Sequence, residues 1–357
     1  MATETLPPAA EWQAFPARLD AFLARFFREQ AERYAYGPFF EPLYGDLAAY
    51  VLRPGKRLRP LLLAASYRTL GGERPWDDPS LLRAAAAMEL FHAFTLIHDD
   101  VIDRADLRRG LPAFHRVAEA RLGQGQSRPA EASADAEGIA LVAGNLLHAL
   151  ALDTLLATDF PAPLREAALR RFLQAVADTG AGEIGDIVLG TRDIGAVRVE
   201  EIERVCALKT TRYTFETPLV LGAILAGKEG ETLLDLARLA EPLGLAFQIA
   251  DDLADFAASA ADLRAGKKTL LLRAAHDRLG EADRALLLLA LSLPGGENDA
   301  SRLALLRGLV EKSNAPALLR EREAALRRQA REELSRSALP TAFGALFDRL
   351  DSLAPRP

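Results

Sequence analysis

The sequence predicts an all-α protein, and two observations support that prediction. Apolar residues recur at intervals of three and four along almost the whole chain, which is the period of an amphipathic helix. The good helix formers Ala, Leu, Arg and Glu are abundant, whereas the apolar and polar alternation that marks a strand is scarce. Glycine and proline predict helix breaks at residues 53–55, 71–79, 110–112 and 294–296.

Composition and charge narrow the class of protein. The 357 residues are 50% hydrophobic and carry a formal net charge of -6, so a large core is expected and nucleic acid is not an expected partner. Cys206 is the single cysteine, which excludes an intrachain disulfide and fits a reducing cytoplasm. The apolar runs are shorter than the roughly 20 residues that cross a bilayer. We therefore expect a cytoplasmic protein with no membrane span and no signal peptide.

Two segments are expected to lie outside the packed helices of a single domain that covers residues 1–357. Residues 1–20 are predicted to form a loose N-terminal segment. Residues 123–137 are rich in Gly, Gln, Ser and acidic side chains and are predicted to form a mobile loop between two helices.

Two matching clusters of aspartates follow two apolar segments. The first is Asp99, Asp100 and Asp103, and the second has the same spacing. Positions four apart share one face of a helix, where like charges repel unless a cation lies between them. One such cluster is more often a solvated helix end, but two copies favour a site in which Mg²⁺ holds a diphosphate through carboxylate oxygens. The second cluster comprises Asp251, Asp252 and Asp255.

Short basic segments supply candidate phosphate ligands in a chain that is acidic overall. They lie at residues 55–60, 107–110, 209–210 and 266–269. Arginine offers paired donors to phosphate oxygens and lysine a compact charge, although any one of these segments alone fits surface solubility equally well. His92 lies on the apolar approach to Asp99 and is either a core residue or part of the site.

In combination, these motifs resemble the polyprenyl synthetase family of trans-isoprenyl diphosphate synthases, from about residue 53 to residue 272. The stretches that match are Gly55 to Pro60, Glu89 to Arg109, Lys209-Thr210, Phe247 to Asp252 and Gly266 to Thr269. The resemblance implies an orthogonal helical bundle around a deep central cavity, a homodimer, and a reaction that adds isopentenyl diphosphate head to tail to an allylic diphosphate.

The resemblance also implies a role for each matched residue. The six aspartates would bind Mg²⁺, with three ions per site when substrate is present. The allylic diphosphate would be contacted by Arg108, Lys209 and Lys267. Isopentenyl diphosphate would be bound by Gly55, Lys56, Arg57, His92 and Arg109. Thr210 and Gln248 would stabilise the cationic intermediate or position the diphosphate, so that Lys209, Thr210 and Gln248 form the catalytic group.

Product length is expected to depend on the helix that precedes Asp99. Phe94 and Phe91 lie five and eight residues upstream, roughly 7 and 12 Å along a helix. If they form the floor of the chain-elongation path, rather than being ordinary core aromatics, the product is short. Geranylgeranyl diphosphate is expected first and farnesyl diphosphate next, from dimethylallyl, geranyl or farnesyl primers.

Three departures and three rivals stay open. The segment between Asp255 and Lys267 is shorter than is usual in the family, which puts Asp255 in doubt, and Glu183 and Asn145 stand where Gln and Asp are common. A class I terpene cyclase would carry a different second metal motif. A catalytically silent partner subunit would usually lose one aspartate cluster, and a head-to-head condensing enzyme would space its acidic motifs differently.

Overall fold

The computed structural model describes residues 9–35, 37–38, 40–123, 132–293 and 299–353. Within them the chain forms two compact units. We call residues 9–169 with 225–227 the N-terminal unit, and residues 170–224 with 228–353 the C-terminal unit. The all-α prediction is confirmed, since helices make up nearly all of both units. The expected single domain stays a prediction.

The N-terminal unit is built from helices and one small hairpin. Its helices are α1 (Ala9–Tyr34), α2 (Glu41–Val51), α3 (Leu58–Thr69), α4 (Pro79–Ile102), α5 (Phe114–Leu122), α6 (Ala132–Leu156) and the start of α7 (Ala162–Gly190). The antiparallel strands β1 (Leu107–Arg108) and β2 (Leu111–Pro112) follow α4. Helix α4 packs most extensively against α6, so these two form the centre of the unit.

The C-terminal unit contains the rest of α7 and the helices that follow it. After a 3₁₀ turn (Ile194–Ala196) come α8 (Val199–Cys206), a π-helix (Ala207–Glu216), α9 (Thr217–Leu225), α10 (Glu231–Ala258), α11 (Ala261–Ala265), α12 (Leu270–Arg278), α13 (Glu281–Ser292), α14 (Asp299–Lys312), α15 (Ala315–Arg336) and α16 (Ala342–Leu353). Helix α10 packs against α15 and the π-helix, and this places the second aspartate cluster beside the π-helix.

Local chemistry explains where α4 begins. Asp78 caps it, since the carboxylate accepts hydrogen bonds from the backbone N–H groups of Ser80 and Leu81 at 2.9 and 3.0 Å, and Pro79 opens the first turn. A capping carboxylate and an opening proline satisfy or remove donors that the helix leaves unpaired. The residues between Leu81 and Phe91 are then almost all buried.

Two sequence predictions about irregular segments need correction. Residues 9–20 belong to α1, because Phe15 and Leu19 are fully buried and Phe15 packs edge-on to Trp76 with the ring centroids 5.3 Å apart. Residues 132–137 belong to α6, where Ala136 is buried. The rest of the two predicted segments, residues 1–8 and 124–131, and the break at 294–296 lie outside the described residues. The other three breaks are confirmed.

Two helices have the length and apolarity of a membrane span, Pro79–Ile102 and Ser133–Leu156. In the first, 78% of the most apolar window is buried inside the protein, as expected for a core helix. In the second the buried share is 39%, and Leu141 and Val142 are exposed. Part of the apolar surface of this helix, at Leu141 and Val142, is therefore exposed among the described residues, while another face packs against α4.

Candidate active site

The first aspartate cluster lies at the C-terminal end of α4, beside the hairpin. Pairing of Arg108 with Leu111 in the two strands holds the Arg108 backbone close to the helix end. The Arg108 guanidinium donates through Nη2 to Asp99 Oδ2 at 2.9 Å and through Nε to Asp100 Oδ1 at 2.6 Å. Asp103 caps the helix and is exposed. The Arg108 guanidinium is thus held by two carboxylates of the motif, Asp99 and Asp100.

Asp100 differs from its neighbours because it is completely buried. Its second oxygen, Oδ2, accepts a hydrogen bond from the Tyr50 hydroxyl at 3.1 Å. Burial raises the pKa of the Asp100 carboxyl, and the hydrogen bond from Arg108 opposes that rise. Burial also raises the pKa of Tyr50 far above its ordinary value, so the phenol stays protonated and donates. With a hydrogen bond at each oxygen, Asp100 anchors Arg108, and its contact with a metal stays a prediction.

A basic pocket surrounds His92 on the same helix. Arg109 Nη2 lies 3.4 Å from His92 Nε2, and Arg109 Nη1 donates to the Pro54 carbonyl at 3.2 Å. Burial lowers the pKa of His92 well below its ordinary value, and the nearby guanidinium groups of Arg59 and Arg109 lower it further. The imidazole is therefore neutral at pH 7. Several positive charges around a neutral ring make a binding site for an anion such as a diphosphate.

The backbone of Gly55 is part of the same pocket. A Cβ atom placed on Gly55 would lie 2.6 Å from Arg109 Nη1, so only glycine lets this guanidinium lie against the chain. Gly55 and Lys56 are both exposed. The structure brings Gly55, His92 and Arg109 together. Binding of isopentenyl diphosphate by these residues and by Lys56 stays a prediction.

Arg57 does not fit the predicted contact with substrate. Its side chain is only 1% exposed and pairs with Glu89, which is itself buried, and with Asp20 Oδ1 at 2.8 Å. Its remaining amino group donates to the Arg53 carbonyl at 3.0 Å. The backbone φ of 47° turns the Arg57 side chain inward before α3 begins. Arg57 thus holds three segments of the N-terminal unit together and has no donor directed at solvent.

The two phenylalanines before Asp99 lie in an aromatic stack that includes a histidine of α6. Phe91 is fully buried and stacks on Phe94 with centroids 5.8 Å apart. Phe94 also stacks on His148 at 5.3 Å and meets His98 edge-on at 4.9 Å. The described residues offer no hydrogen-bond partner to His148 Nε2. The predicted floor of the chain-elongation path therefore includes His98 and His148 beside the two phenylalanines.

In the C-terminal unit, Lys209 and Thr210 lie on the π-helix. The Lys209 ammonium group pairs with Glu183 Oε2 at 2.9 Å and Asp186 Oδ2 at 2.8 Å, both on α7. A Cβ atom on Gly182 would lie 2.5 Å from the Lys209 backbone nitrogen, so α7 and the π-helix are in direct backbone contact there. π-Helical turns are frequent at functional sites. Thr210 is half-buried beside Lys209.

The second aspartate cluster lies near the end of α10. Asp251 is exposed, whereas Asp252 is buried and accepts a hydrogen bond from Gln248 Nε2 at 2.8 Å. Burial raises the pKa of Asp252 to about 8, because the charged form loses its water. The side-chain amide nitrogen of Gln248 is thus directed at Asp252, which leaves its carbonyl oxygen as the group available to a cation.

Asp255 has another role in the structure. Its Oδ1 accepts from the backbone N–H of Ala261 at 3.1 Å and its Oδ2 from that of Asp262 at 3.0 Å. These bonds close the turn at Ala260, which has a left-handed backbone with φ of 49°. The short connection after α10 therefore uses Asp255 to start α11, and this argues against the predicted metal contact. Lys267 follows α11, and its Nζ lies 3.8 Å from Asp262 Oδ1.

Comparison with known proteins decides the family. A family model for polyprenyl synthetase matches residues 41–303, well over half of the chain. The chain belongs to the polyprenyl synthetase family. The resemblance drawn from the motifs is thereby confirmed.

The chain is similar to two proteins of Arabidopsis thaliana. It is 31% identical over 250 residues to heterodimeric geranylgeranyl pyrophosphate synthase large subunit 2, over 68% of this chain and 61% of the relative. It is 33% identical over 236 residues to the chloroplastic geranylgeranyl pyrophosphate synthase 7, over 64% of this chain and 62% of the relative. The match thus spans about three fifths of the length of these relatives.

A solved structure extends the similarity over nearly the whole chain. The geranylgeranyl pyrophosphate synthase of Corynebacterium glutamicum, complexed with isoprenyl diphosphate and magnesium, shares 27% identity with this chain and superposes on it with a TM-score of 0.85. The superposition covers 94% of this chain and 97% of that one. The helical architecture of the family is therefore present almost in full.

Two residues of the N-terminal site had no individual role in the sequence prediction. Arg59 lies in the basic segment at residues 55–60, and its positive charge lowers the pKa of His92. Tyr50 lies outside every motif, and only the fold shows its contact with Asp100.

The oxygen donors at the two aspartate clusters fit a hard cation. Among the described residues, no group of three or more His, Cys, Asp or Glu side chains is arranged closely enough to hold a metal ion. The available oxygens are nevertheless the ligands that Mg²⁺ prefers. Arg108 already supplies positive charge to Asp99 and Asp100, and a cation near Asp252 would favour its ionised form. Asp99, Asp103, Asp251 and Asp255 are the predicted ligands whose side chains are at least partly exposed, and of these Asp255 is engaged at the start of α11.

A large cavity in the N-terminal unit lies apart from these residues. It has a volume of about 470 Å³ and is lined mainly by apolar side chains of α1, α2 and α6, including Phe27, Tyr44 and Leu150. None of the predicted site residues lines it. The identification of the candidate site therefore depends on its charged groups and their geometry.

Proposed function

We propose that this polyprenyl synthetase is a Mg²⁺-dependent prenyltransferase that condenses isopentenyl diphosphate head to tail with an allylic diphosphate. The observation that carries the proposal is the end of α4. There two aspartates fix Arg108, and an aromatic-lined helix leads away from them. A charged group that binds a leaving diphosphate and an apolar wall that accepts a hydrocarbon chain are the two parts that such a reaction needs. The names of the relatives support the same activity.

The N-terminal unit offers two anion sites of different character. Arg108, held by Asp99 and Asp100, is assigned to the allylic diphosphate. The pocket of Arg59, Arg109 and neutral His92 is assigned to isopentenyl diphosphate, whose diphosphate group is retained in the product. A neutral imidazole donates a hydrogen bond to phosphate without titrating near neutral pH. Two separate sites keep the diphosphate that leaves the allylic substrate apart from the diphosphate that isopentenyl diphosphate retains.

The chemistry assigned to the chain is electrostatic. When the allylic carbon–oxygen bond breaks, negative charge develops on the departing diphosphate and positive charge on the allylic carbon. Arg108 donates hydrogen bonds to that diphosphate, while Lys209 and Lys267 are predicted further contacts. Bound Mg²⁺ would supply additional positive charge to the same leaving group. Donors that are fixed before the reaction stabilise such charge without reorganising.

Formation of the new bond follows from the same arrangement. The double bond of isopentenyl diphosphate attacks the allylic cation, and the resulting tertiary cation loses a proton to the released diphosphate. Gln248 is suited to face a cation, because its amide nitrogen is engaged by Asp252 and its carbonyl oxygen is the negative end of the dipole. Thr210 is assigned the same role. Exclusion of water protects both cations from hydrolysis.

We further propose a short product, with geranylgeranyl diphosphate first and farnesyl diphosphate next. Phe94 supports this assignment, since it is fixed between Phe91 and His148 in ring contacts on both sides. A side chain packed in this way cannot rotate aside for a growing chain without disturbing its neighbours. The aromatic stack therefore sets a limit on length.

The test is a primer panel. The purified protein is incubated with Mg²⁺, radiolabelled isopentenyl diphosphate and, separately, dimethylallyl, geranyl and farnesyl diphosphates, and the dephosphorylated products are sized. The proposal expects condensation with at least one primer and a ladder that stops at farnesyl or geranylgeranyl. No condensation with any primer would contradict it.

One observation favours a second candidate, a catalytically silent partner subunit. Asp255 is engaged in starting α11, so the second metal motif is weaker than its sequence indicates. In that case the protein would be inactive alone and would change the rate or product length of an active synthase added to it. The primer panel separates the two candidates. No structural observation favours a cyclase.

A homodimer is proposed from exposed apolar side chains. On α7, Ile184, Ile187 and Val188 are 66%, 47% and 52% exposed, and on α6 Val142 is 67% exposed. Residues three and four apart lie on one helix face, so those on α7 form a stripe. A second copy of the chain is the occupant we assign. Light scattering without detergent should give the dimer mass, and Ile187→Asp should give the monomer. A monomeric native protein, or one soluble only in detergent, would refute the assignment.

A cytoplasmic location stays a prediction.

A further inference from the structure

Tyr50 lies on α2 with its aromatic ring fixed on two sides. The residue is only 5% exposed. Its ring meets Phe114 edge-on, with centroids 5.8 Å apart at an angle of 80°, and the Arg53 guanidinium lies over the ring at 4.4 Å. Arg53 itself donates to the Pro112 carbonyl at 2.8 Å, which ties this stack to the hairpin that carries Arg108. The position of the Tyr50 hydroxyl is therefore determined by packing that does not involve the hydroxyl.

The hydroxyl completes the hydrogen bonding of Asp100. It donates to Oδ2 at 3.1 Å, while Arg108 Nε donates to Oδ1 at 2.6 Å. A carboxylate that accepts one donor at each oxygen cannot turn about its last bond without losing one of them. Arg108 then reaches from this fixed carboxylate to Asp99 Oδ2 at 2.9 Å. The Tyr50 hydroxyl thus fixes the Asp100 carboxylate, and that carboxylate in turn fixes the Arg108 guanidinium.

We propose that Tyr50 is a positioning residue for the allylic diphosphate site and acts through Asp100 on Arg108. The inference rests on the proposed function, which assigns Arg108 to the leaving diphosphate. Tyr50 touches no substrate. Its hydroxyl keeps Asp100 oriented, so that the guanidinium of Arg108 is aligned before substrate arrives. Alignment of a donor before binding is what makes an electrostatic contact effective in the transition state.

The hydrogen bonds that hold Arg109 in the basic pocket around His92 do not involve Tyr50, Asp100 or Arg108. Arg109 is held by the Pro54 carbonyl and lies against Gly55. Loss of the Tyr50 hydroxyl is therefore expected to affect one substrate and leave the other unchanged. A residue with only a structural role would affect both substrates together, through the fraction of folded protein. This difference makes the inference testable.

The test compares Tyr50→Phe with Tyr44→Phe. Tyr44 lies on the same helix, is also buried, and packs its ring against Phe27 at 5.7 Å. Each variant removes one hydroxyl and keeps the ring. We expect Tyr50→Phe to lower kcat/KM for the allylic diphosphate by about tenfold or more, the range for a lost hydrogen bond to a charged group. The KM for isopentenyl diphosphate should stay within about twofold, and Tyr44→Phe should match the native protein in both.

A double-mutant cycle shows whether the effect passes through Asp100. In an Asp100→Asn background, Tyr50→Phe should cause no further loss of kcat/KM, because residues that act in one network are not additive. Losses that multiply would overturn the proposal. An equal effect of Tyr50→Phe on both substrates would overturn it as well, as would a Tyr50→Phe protein indistinguishable from native.

A binding measurement separates this proposal from the proposed function. Titration calorimetry with inorganic diphosphate in the presence of Mg²⁺ needs no turnover. If the native protein fails to condense any primer, the proposed reaction fails. The role of Tyr50 is then decided by diphosphate affinity. A loss of about tenfold in Tyr50→Phe, with none in Tyr44→Phe, supports the positioning of Arg108. Equal affinities in the two variants contradict it.

Discussion

Gly182 gives the sharpest prediction, because its contacts involve only backbone atoms. A Cβ atom there would lie 2.5 Å from the Lys209 nitrogen, 2.8 Å from the Lys209 Cα and 2.9 Å from the Leu208 carbonyl carbon. Ordinary contacts of a Cβ atom begin at 3.4 Å. Gly182→Ala must therefore push α7 and the π-helix apart by several tenths of an ångström, and no flexible side chain can absorb the shift.

Gly180→Ala is the matched control. Gly180 lies two residues away on the same helix, is exposed, and has nothing within 4 Å of the added carbon. Both variants gain the same helix propensity of about 1 kcal/mol, so the difference between them isolates the clash. Overpacking of this kind costs about 1–3 kcal/mol. We expect Gly180→Ala to be slightly more stable than native, and Gly182→Ala to be less stable than Gly180→Ala by that amount.

Displacement of Lys209 should also lower activity. A misplacement of about 1 Å in a catalytic group can cost about a hundredfold in rate. The assay is urea unfolding followed by circular dichroism, together with steady-state condensation for both variants. Equal stability and equal turnover of Gly182→Ala and Gly180→Ala would refute the close contact between α7 and the π-helix.

Three further predictions follow from the site. Arg57→Met should lower the free energy of unfolding by about 3–5 kcal/mol by leaving Glu89 buried and unpaired, and Arg57→Met with Glu89→Met should recover much of the loss in urea unfolding. Full stability of the single variant would contradict this. Phe94→Ala should yield products longer than geranylgeranyl diphosphate, whereas an unchanged ladder would show that Phe94 is only a core residue. The pKa of Asp252 is raised from 3.8 to about 8 in the folded state, so the metal-free protein should lose stability as pH rises through that range. Asp252→Asn should abolish this loss, and a persistent loss would assign it to another group.

The sequence could predict those parts of the site that depend on local periodicity. Asp99 and Asp103 lie at the end of an apolar helix, and spacing alone indicated as much. The basic segments supplied candidate phosphate ligands, but each alone fitted surface solubility as well, and it was the resemblance to the family that grouped Gly55 and Arg109 with His92. The aspartate spacing and each basic segment depend on residues that are close together in the chain.

The parts that could not be predicted depend on partners distant in the chain. Arg57 is buried because Asp20 and Glu89, which lie 37 and 32 residues away, pair with it. Asp255 accepts backbone donors because the chain after α10 turns through a left-handed residue. Neither burial nor such a turn has a signature in the local pattern of charges. The close backbone contact between α7 and the π-helix that carries Lys209 likewise joins residues distant in the chain.

The central claim is that each aspartate cluster is needed for the proposed condensation, and turnover of Asp99→Ala and Asp251→Ala tests it most directly. Asp135→Ala is the control, since Asp135 is an exposed carboxylate in the first turn of α6. Each cluster variant is expected to lose several orders of magnitude in the rate of condensation while unfolding at the same urea concentration as the control. Turnover near that of the control in both cluster variants would contradict the assignment.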